Sequence, residues 1–509
     1  MENKNVFIAI ALSMSVLLFW GAFVETPQNK NPNKDLINQS ITNKQTTDLN
    51  EISPNIDQTV EIKTASREAL ISKVDRIKIE NKNIIGSLSL KGAIIDDISF
   101  KNHKQNLKDK KNVVFLNPQE TVNGYFVETG WTSIGNKIKV PSSNSIWSII
   151  GNKTLTENQP VTLQWENGEG IIFKKIIKLD KKYLFNISQL VENNTNNSID
   201  LYPYAQITRN KIPDDIQNFY ISHEGFIGVF DDELKEDDYD DIEEKKIVRE
   251  ANKGWLGITD KYWLTAIVPK QGESFKSTFL YKEAFKANYI LNSPTTIKSS
   301  SSESNEVRLF VAAKEVETID AYAANQNIEK LDLTIDWGWF YFFTKPLFFI
   351  IDYLFKFSGN FGIAIVLITI SIRLLFFPLA NYSFRSMAKM KALQPEMVRL
   401  KELHKEDKMK LQQEMMALYK KEKVNPASGC LPVLIQIPFF FAIYKMLFIS
   451  LEMRHQPFFG WIKDLSAQDP TSLFNIFGLI PWDPPSFLII GIWPILMGAS
   501  MWVQQKLNP

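Results

Sequence analysis

Arg373 stands inside the apolar run LITISIRLLFFPLANY, residues 367–382. A guanidinium keeps its charge at any physiological pH, so something other than lipid must stabilise it there. The run 361–380 is long enough to span a bilayer. Arg373 falls about two-thirds of the way along it, roughly 10 Å from the inner end at about 1.5 Å per residue. An intramembrane charge costs about 2.5–3.5 kcal/mol on insertion scales. For Arg373 alone two readings are open: its stem snorkels to the headgroups, or its charge faces a wet recess. Thr369 lies one turn earlier on the same helical face. Gln436, in a later apolar run, adds a polar group at comparable depth. Together they point to a hydrophilic, positively charged recess in the inner leaflet. Beside it, Pro432, Pro438, Phe439, Phe440 and Phe441 give the later run an irregular, greasy surface. That pairing suits a polypeptide whose polar segment enters the recess while an apolar segment slides along the protein–lipid boundary.

Other chemistry finds little support in the sequence. The four histidines, His103, His223, His404 and His455, are scattered, with no HExxH or paired-ligand spacing. Cys430 is the only cysteine, so an intramolecular disulfide is impossible. Acidic residues are absent from the apolar runs, which argues against an ion-selectivity ring. No nucleotide motif and no cofactor site is expected.

The elements that must position these residues follow from composition shifts along the 509-residue chain. The net charge of +1 averages unlike regions: 44% of residues are hydrophobic, yet the mean hydropathy is −0.15. Residues 1–24 hold an apolar run too long for a signal-peptide core and followed by no A-x-A site, which predicts an uncleaved anchor. The Asn-, Gln-, Thr- and Pro-rich stretch 25–60 reads as a disordered linker. Residues 61–330 show short alternating runs broken by Asn and Gly, as in VTLQWENGEGIIFKKIIKLD, and predict a large antiparallel β-sandwich. The acidic run 231–244 reads as a solvated loop. Residues 337–357, aromatic-rich but carrying Lys345, Asp352 and Lys356, predict a helix lying in the membrane interface. A second span over 361–380, a helical hairpin over 381–425, a third span over 426–450, a loop over 451–485 and a fourth span over 486–505 complete the pattern. The hairpin carries Arg385, Lys389, Lys391, Arg399 and Lys401, so the positive-inside rule places it in the cytoplasm. The N-terminus is then cytoplasmic, and residues 25–360 lie on the far side, in the periplasm of a bacterium with two membranes. Basic and acidic residues alternate along the hairpin, and no nucleic-acid recognition motif is present. The fold class is therefore a multi-span α-helical membrane protein with a large extracytoplasmic all-β domain and a cytoplasmic helical hairpin.

Long segments of the chain resemble the YidC family of membrane protein insertases, Gram-negative type, within the Oxa-like superfamily. The similarity is strongest in 361–379, in SMAKMKALQPEM, in QEMMALYKKEKVNPASGCLPVLIQIPFFFAIYKML, and in PILMGASMWVQQKLNP. LQWENGEGIIFKKIIKLDKKYLFNISQLVENNT and GWLGITDKYWLTAIVP carry it through the β domain. The resemblance implies a protein of the bacterial inner membrane, not an enzyme, that inserts and helps fold inner-membrane proteins, alone or with the Sec translocon. It implies a groove at Arg373, Thr369 and Gln436, and a substrate slide including Pro432, Pro438 and Phe440. It implies a β-supersandwich fold for the periplasmic domain. The implied partners are nascent inner-membrane proteins, the Sec translocon and its accessory subunits, ribosome or targeting factors at the hairpin, and membrane lipids. It also implies two further spans and a basic tail beyond the point matching Pro509. A competing reading makes the β domain a sugar-binding or sugar-isomerising module with the helices as anchors. A cleft with paired carboxylates or a His–Glu pair would favour that reading. A transporter is a weaker alternative, because the inverted halves that broken-helix transporters carry are absent.

Overall fold

The computed structural model describes residues 66–507 apart from 108–109, 215, 217–221, 339, 406, 426–430, 468, 470, 477–479, 481 and 483–489. The predicted anchor (1–24) and linker (25–60) lie outside the described residues.

A short helix, α1 (Arg67–Ile71), leads into two sheets. The first has eleven strands. Its main path runs from Ile247–Ala251 through Phe275–Lys282, Ala284–Leu291, Ile199–Arg209, Tyr125–Thr132, Ile94–Lys104 and Ile84–Ser89 to Arg76–Glu80 and Thr154–Leu155. The second has nine strands and passes through Gly254–Thr259, Trp263–Val268, Ser301–Ala313, Leu184–Asn193 and Ile171–Leu179. Pairing is antiparallel throughout the second sheet, so adjacent strands can be joined by tight turns. The hairpin at Asn167 shows how sequence fixes one of them. The Asn167 Oδ1 accepts the N–H of Glu169 at 2.7 Å and of Ile171 at 3.1 Å. Gly168 and Gly170 take φ of 80° and 89°, which glycine adopts without a Cβ penalty. The strand that follows, IIFKKIIKL, alternates inward and outward, as a half-buried strand must. Between the sheets lies one continuous apolar core that includes Trp255, Phe100, Phe173, Phe226 and Phe310.

The acidic run 231–244 is not a loop. Asp231 and Asp232 make a left-handed turn, Glu233–Asp237 pairs as a strand, and α2 (Tyr239–Glu244) follows. Tyr239 and Ile242 are buried there, and Asp237 takes both guanidinium nitrogens of Arg249 at 2.7 and 2.8 Å. Alternate apolar anchors gave this segment an inner face that its charge concealed.

After the last strand come α3 (Val316–Asn325) and α4 (Tyr341–Ser358). One face of α4 buries Thr344, Leu347, Phe348 and Ile351, while Phe342, Tyr353 and Phe357 point outward. Gly359 ends α4 with φ 69°, and Asn360 caps α5 (Phe361–Leu375) by accepting the N–H of Ile363. The helix expected over 361–380 stops at Leu375. It bends by 57° into α6 (Phe377–Ala392). Pro378, in the first turn of α6, explains the break: its ring would clash with the carbonyl four residues earlier in a continuous helix. Among the described residues no single helix is long and apolar enough to cross a membrane, but the bent pair α5–α6 meets that test by length and composition. Where a two-armed hairpin is expected, the structure has α6 followed by α7 (Gln394–Leu403) and α8 (Lys408–Lys421), with Pro395 opening α7. Next come α9 (Leu431–Ile449), with Pro438 inside it, and α10 (Ile492–Leu507). Helix α4 packs against both α5 and α9.

Candidate functional site

Arg373 sits in the last turn of α5, where a cation also meets the negative end of the helix dipole. Its side chain is exposed, and its guanidinium carbon lies 5.9 Å from the centre of the Phe440 ring on α9. That separation is within reach of a cation–π attraction. One turn back on α5, the Thr369 hydroxyl donates to the carbonyl of Ile365 at 2.7 Å, and Ser371 does the same to Leu367 at 2.9 Å. Both hydroxyls are thereby satisfied within their own helix while keeping acceptor capacity.

On α9, Pro432, Gln436 and Pro438 are half-buried and Phe440 is half exposed. Phe439 packs its ring 5.1 Å from Phe376, at the α5–α6 bend, and 5.0 Å from Phe343 of α4. The Phe441 ring lies 5.8 Å from that of Phe340. Aromatic contacts therefore tie α9 to α4 and to the bend just beyond Arg373. Of the residues singled out in the sequence, the structure brings Arg373 to Phe440 and sets Thr369 beneath it. No hydrogen bond joins Gln436 to either Arg373 or Thr369.

Sequence reasoning missed a second set of charges at the other end of α9. Lys445 is buried in the helix, and its Nζ lies 2.8 Å from the Asp336 carboxylate. In the turn after α9, Glu452 Oε1 accepts the N–H of Val316 at 2.7 Å. Arg454 donates to the carbonyls of Lys104 and Gln105 at 2.7 and 3.0 Å. A lone lysine in an apolar run is the same signal that drew attention to Arg373, and it could have been found the same way.

The β domain contains a cleft of about 570 Å³ lined by Tyr125, Arg209, Glu224, Asp260, Trp263 and, from the loop after α9, Ser466, among others. Its Asp260 is taken up by Arg209 through two hydrogen bonds of 2.6 and 3.2 Å. A His–Glu pair does exist, His103 with Glu315 at 3.3 Å, but Glu315 also accepts from Tyr183 and Thr318. Burial raises the Glu315 carboxyl, yet the bonds from His103 and Thr318 and the Lys182 charge outweigh it and bring it down to about 2. This carboxylate braces structure and is not free to exchange protons near neutrality. Among the described residues no group of three or more His, Cys, Asp or Glu side chains could hold a metal ion.

Comparison with known proteins bears on both halves of the chain. Residues 76–350 match the family model described as the YidC periplasmic domain, and residues 353–509 match the 60Kd inner membrane protein family. The membrane protein insertase YidC of Pelagibacter ubique is 52% identical over the whole of this chain and 90% of its own length. That of Brucella melitensis is 42% identical over the whole of this chain and 88% of its own. Among solved structures, an active YidC insertase aligns at 16% identity and a TM-score of 0.30, covering 83% of this chain and 80% of its own. A galactose mutarotase related enzyme from Lactobacillus acidophilus aligns at 12% identity and a TM-score of 0.33 over 47% of this chain. The relatives carry a non-enzymatic name, and the two family models meet within α4 and together reach the last residue. The chain belongs to the YidC family of membrane protein insertases.

Proposed function

We propose that the protein inserts and helps fold inner-membrane proteins, using a hydrophilic recess at Arg373 and an apolar slide on α9. The observation that carries this reading is the 52% identity, along the entire chain, to a relative named membrane protein insertase. The placement of Arg373 beside Phe440 supports the division of labour. The short extracytoplasmic segment of a nascent chain enters the recess, where Arg373 lowers the desolvation barrier for its acidic residues. The apolar segment moves along Pro432, Pro438 and Phe440 into lipid. Its burial supplies roughly 25 cal/mol per Å². A membrane potential adds about 2.3 kcal/mol per acidic charge per 100 mV as that charge moves outward. In this reading 1–24, 361–380, 426–450 and 486–505 span the inner membrane, the hairpin 381–425 receives nascent chains, ribosomes or targeting factors in the cytoplasm, and 25–360 is periplasmic. The Sec translocon and its accessory subunits act beside it on some clients.

Depletion of the resident insertase and rescue by this protein test the activity. In the same assay, Arg373→Ala impairs clients whose translocated segments are acidic more than clients with uncharged ones. Equal insertion of both classes by the variant removes the electrostatic role from Arg373.

A further inference from the structure

The outer end of α9 is fastened to the β domain by polar contacts of fixed geometry. The buried Lys445 reaches Asp336, whose Oδ2 also accepts the N–H of His223 at 3.1 Å and whose Oδ1 accepts that of Gly338 at 3.0 Å. Gly338 has φ 72°, and a Cβ there would stand 3.3 Å from Lys445 Cε. The backbone at this point is thus shaped around the lysine stem. Seven residues beyond Lys445, Glu452 caps α3 through the Val316 N–H. It performs a task that the N-cap residue of α3, Glu315, does not, since the Glu315 side chain makes no capping bond. The same segment holds α4: Lys345 lies 2.9 Å from both Asp320 and Asp332.

Apolar packing alone tolerates sliding and rotation of a helix; a buried ammonium seated on a carboxylate that the backbone itself holds in place does not. Removing one partner leaves the other charge uncompensated. A one-turn slip of α9 moves it by about 5.4 Å and breaks the Lys445 and Glu452 contacts together. Rotation is fixed as well. Phe440 precedes Lys445 by five residues, about 140° around the helix, so pinning Lys445 determines which direction Phe440 faces. That direction is toward Arg373.

We propose that the segment from α3 to Asp336 is a registration clamp, in which Lys445, Asp336 and Glu452 are positioning residues that set the axial and rotational setting of α9 and thereby hold the slide against the Arg373 recess. The inference rests on the insertase reading for its functional consequence but not for its geometry. The test uses the full chain in inner-membrane vesicles, with Cys430→Ser and the pair Phe376→Cys and Phe439→Cys across the α5–α6 bend and α9. Disulfide formation reports the setting of α9, because a disulfide tolerates Cα separations only between about 4.4 and 6.8 Å. Lys445→Met is expected to slow cross-linking, because displacement of α9 takes the pair out of that narrow range, and to reduce client insertion. Lys445→Arg, which keeps the positive charge on a stem long enough for Asp336, is expected to restore both. Should Lys445→Met fail to accumulate, Asp336→Asn, nearly identical in shape, is expected to give the same slowing. Unchanged cross-linking in Asp336→Asn, or failure of Lys445→Arg to restore it, overturns the proposal. If the parent chain inserts no client while Lys445→Met still slows cross-linking, the clamp stands and the insertase reading falls.

Discussion

Replacing Glu452 by Gln isolates the energetic cost of the charge at the junction. The Glu452 Oε1 accepts the Val316 N–H, while Oε2 is shut off from solvent and has no hydrogen-bond partner. Burial raises the carboxyl, the Val316 N–H partly offsets this, and the nearby Glu315 and Asp352 add to the rise, which reaches about 7. The unfolded chain titrates this group near 4.5. Because the folded state holds the proton more tightly, the contribution to stability is fully present below the unfolded value. It is lost as pH rises from there through the folded value. At about 1.4 kcal/mol per unit, the loss amounts to about 3 kcal/mol at pH 8 and under about 1 kcal/mol at pH 5. Glutamine keeps an acceptor for Val316 and carries no charge. Glu452→Gln is therefore expected to raise the melting temperature at pH 8, on the order of 5–10 °C for a domain of this size, and to change it little at pH 5. Thermal unfolding of the full chain in detergent, followed by tryptophan fluorescence at both pH values, makes the comparison. An equal shift at pH 5 and pH 8 refutes the reasoning, because it removes ionisation from the effect.

Two more outcomes follow from buried geometry. Asp260→Ala removes the carboxylate partner of the half-buried Arg209 guanidinium, whose two bonds to it are 2.6 and 3.2 Å. The loss should be about 3–5 kcal/mol, read as a lower urea midpoint for the β domain; an unchanged midpoint contradicts it. Gly362 in α5 faces Phe458 so closely that a Cβ would lie 2.0 Å from its ring. Gly362→Ala should overpack this contact at a cost of about 1–3 kcal/mol, seen as lower accumulation in the membrane, whereas wild-type accumulation and melting point to a compliant Phe458.

The β domain was readable because its strands obey a local rule. The alternation in 171–179 places Ile171, Phe173, Ile177 and Leu179 inward, and the Asn167 turn carries its own signature. The same alternation turns Lys175 inward, and the structure finds its ammonium donating to the carbonyl of Thr129 at 2.6 Å. Burial, partly offset by Glu128, takes that amine down to about 7. Helix ends were less readable. Pro378 marks the break after Leu375, but the apolar run continues through it, and composition alone joined the two sides. Lys445 was visible as a charge in an apolar run, but the partners across the α9 junction were invisible for a different reason. Lys445 and Asp336 are 109 residues apart and Glu452 and Val316 are 136 apart. Nothing local in either stretch names its partner. At the proposed groove, residue type and depth singled out Arg373, Thr369 and Gln436, while the ring contacts of Phe439 with Phe343 and Phe376 emerge only from the packing of three helices.

The central claim is that water from the cytoplasm reaches the charge on α5. In a Cys430→Ser background, single cysteines at Thr369, Leu367 and Arg373 can be probed in inner-membrane vesicles with a membrane-impermeant thiol reagent applied from the cytoplasmic side. Leu367 lies on the opposite side of α5 from Thr369 and Arg373. Only a hydrated thiol ionises to the reactive thiolate, so cysteines at 369 and 373 should react within roughly tenfold of one at the charged hairpin position Lys405, and a cysteine at 367 should not. Protection of both 369 and 373, or equal labelling at 367, contradicts the account.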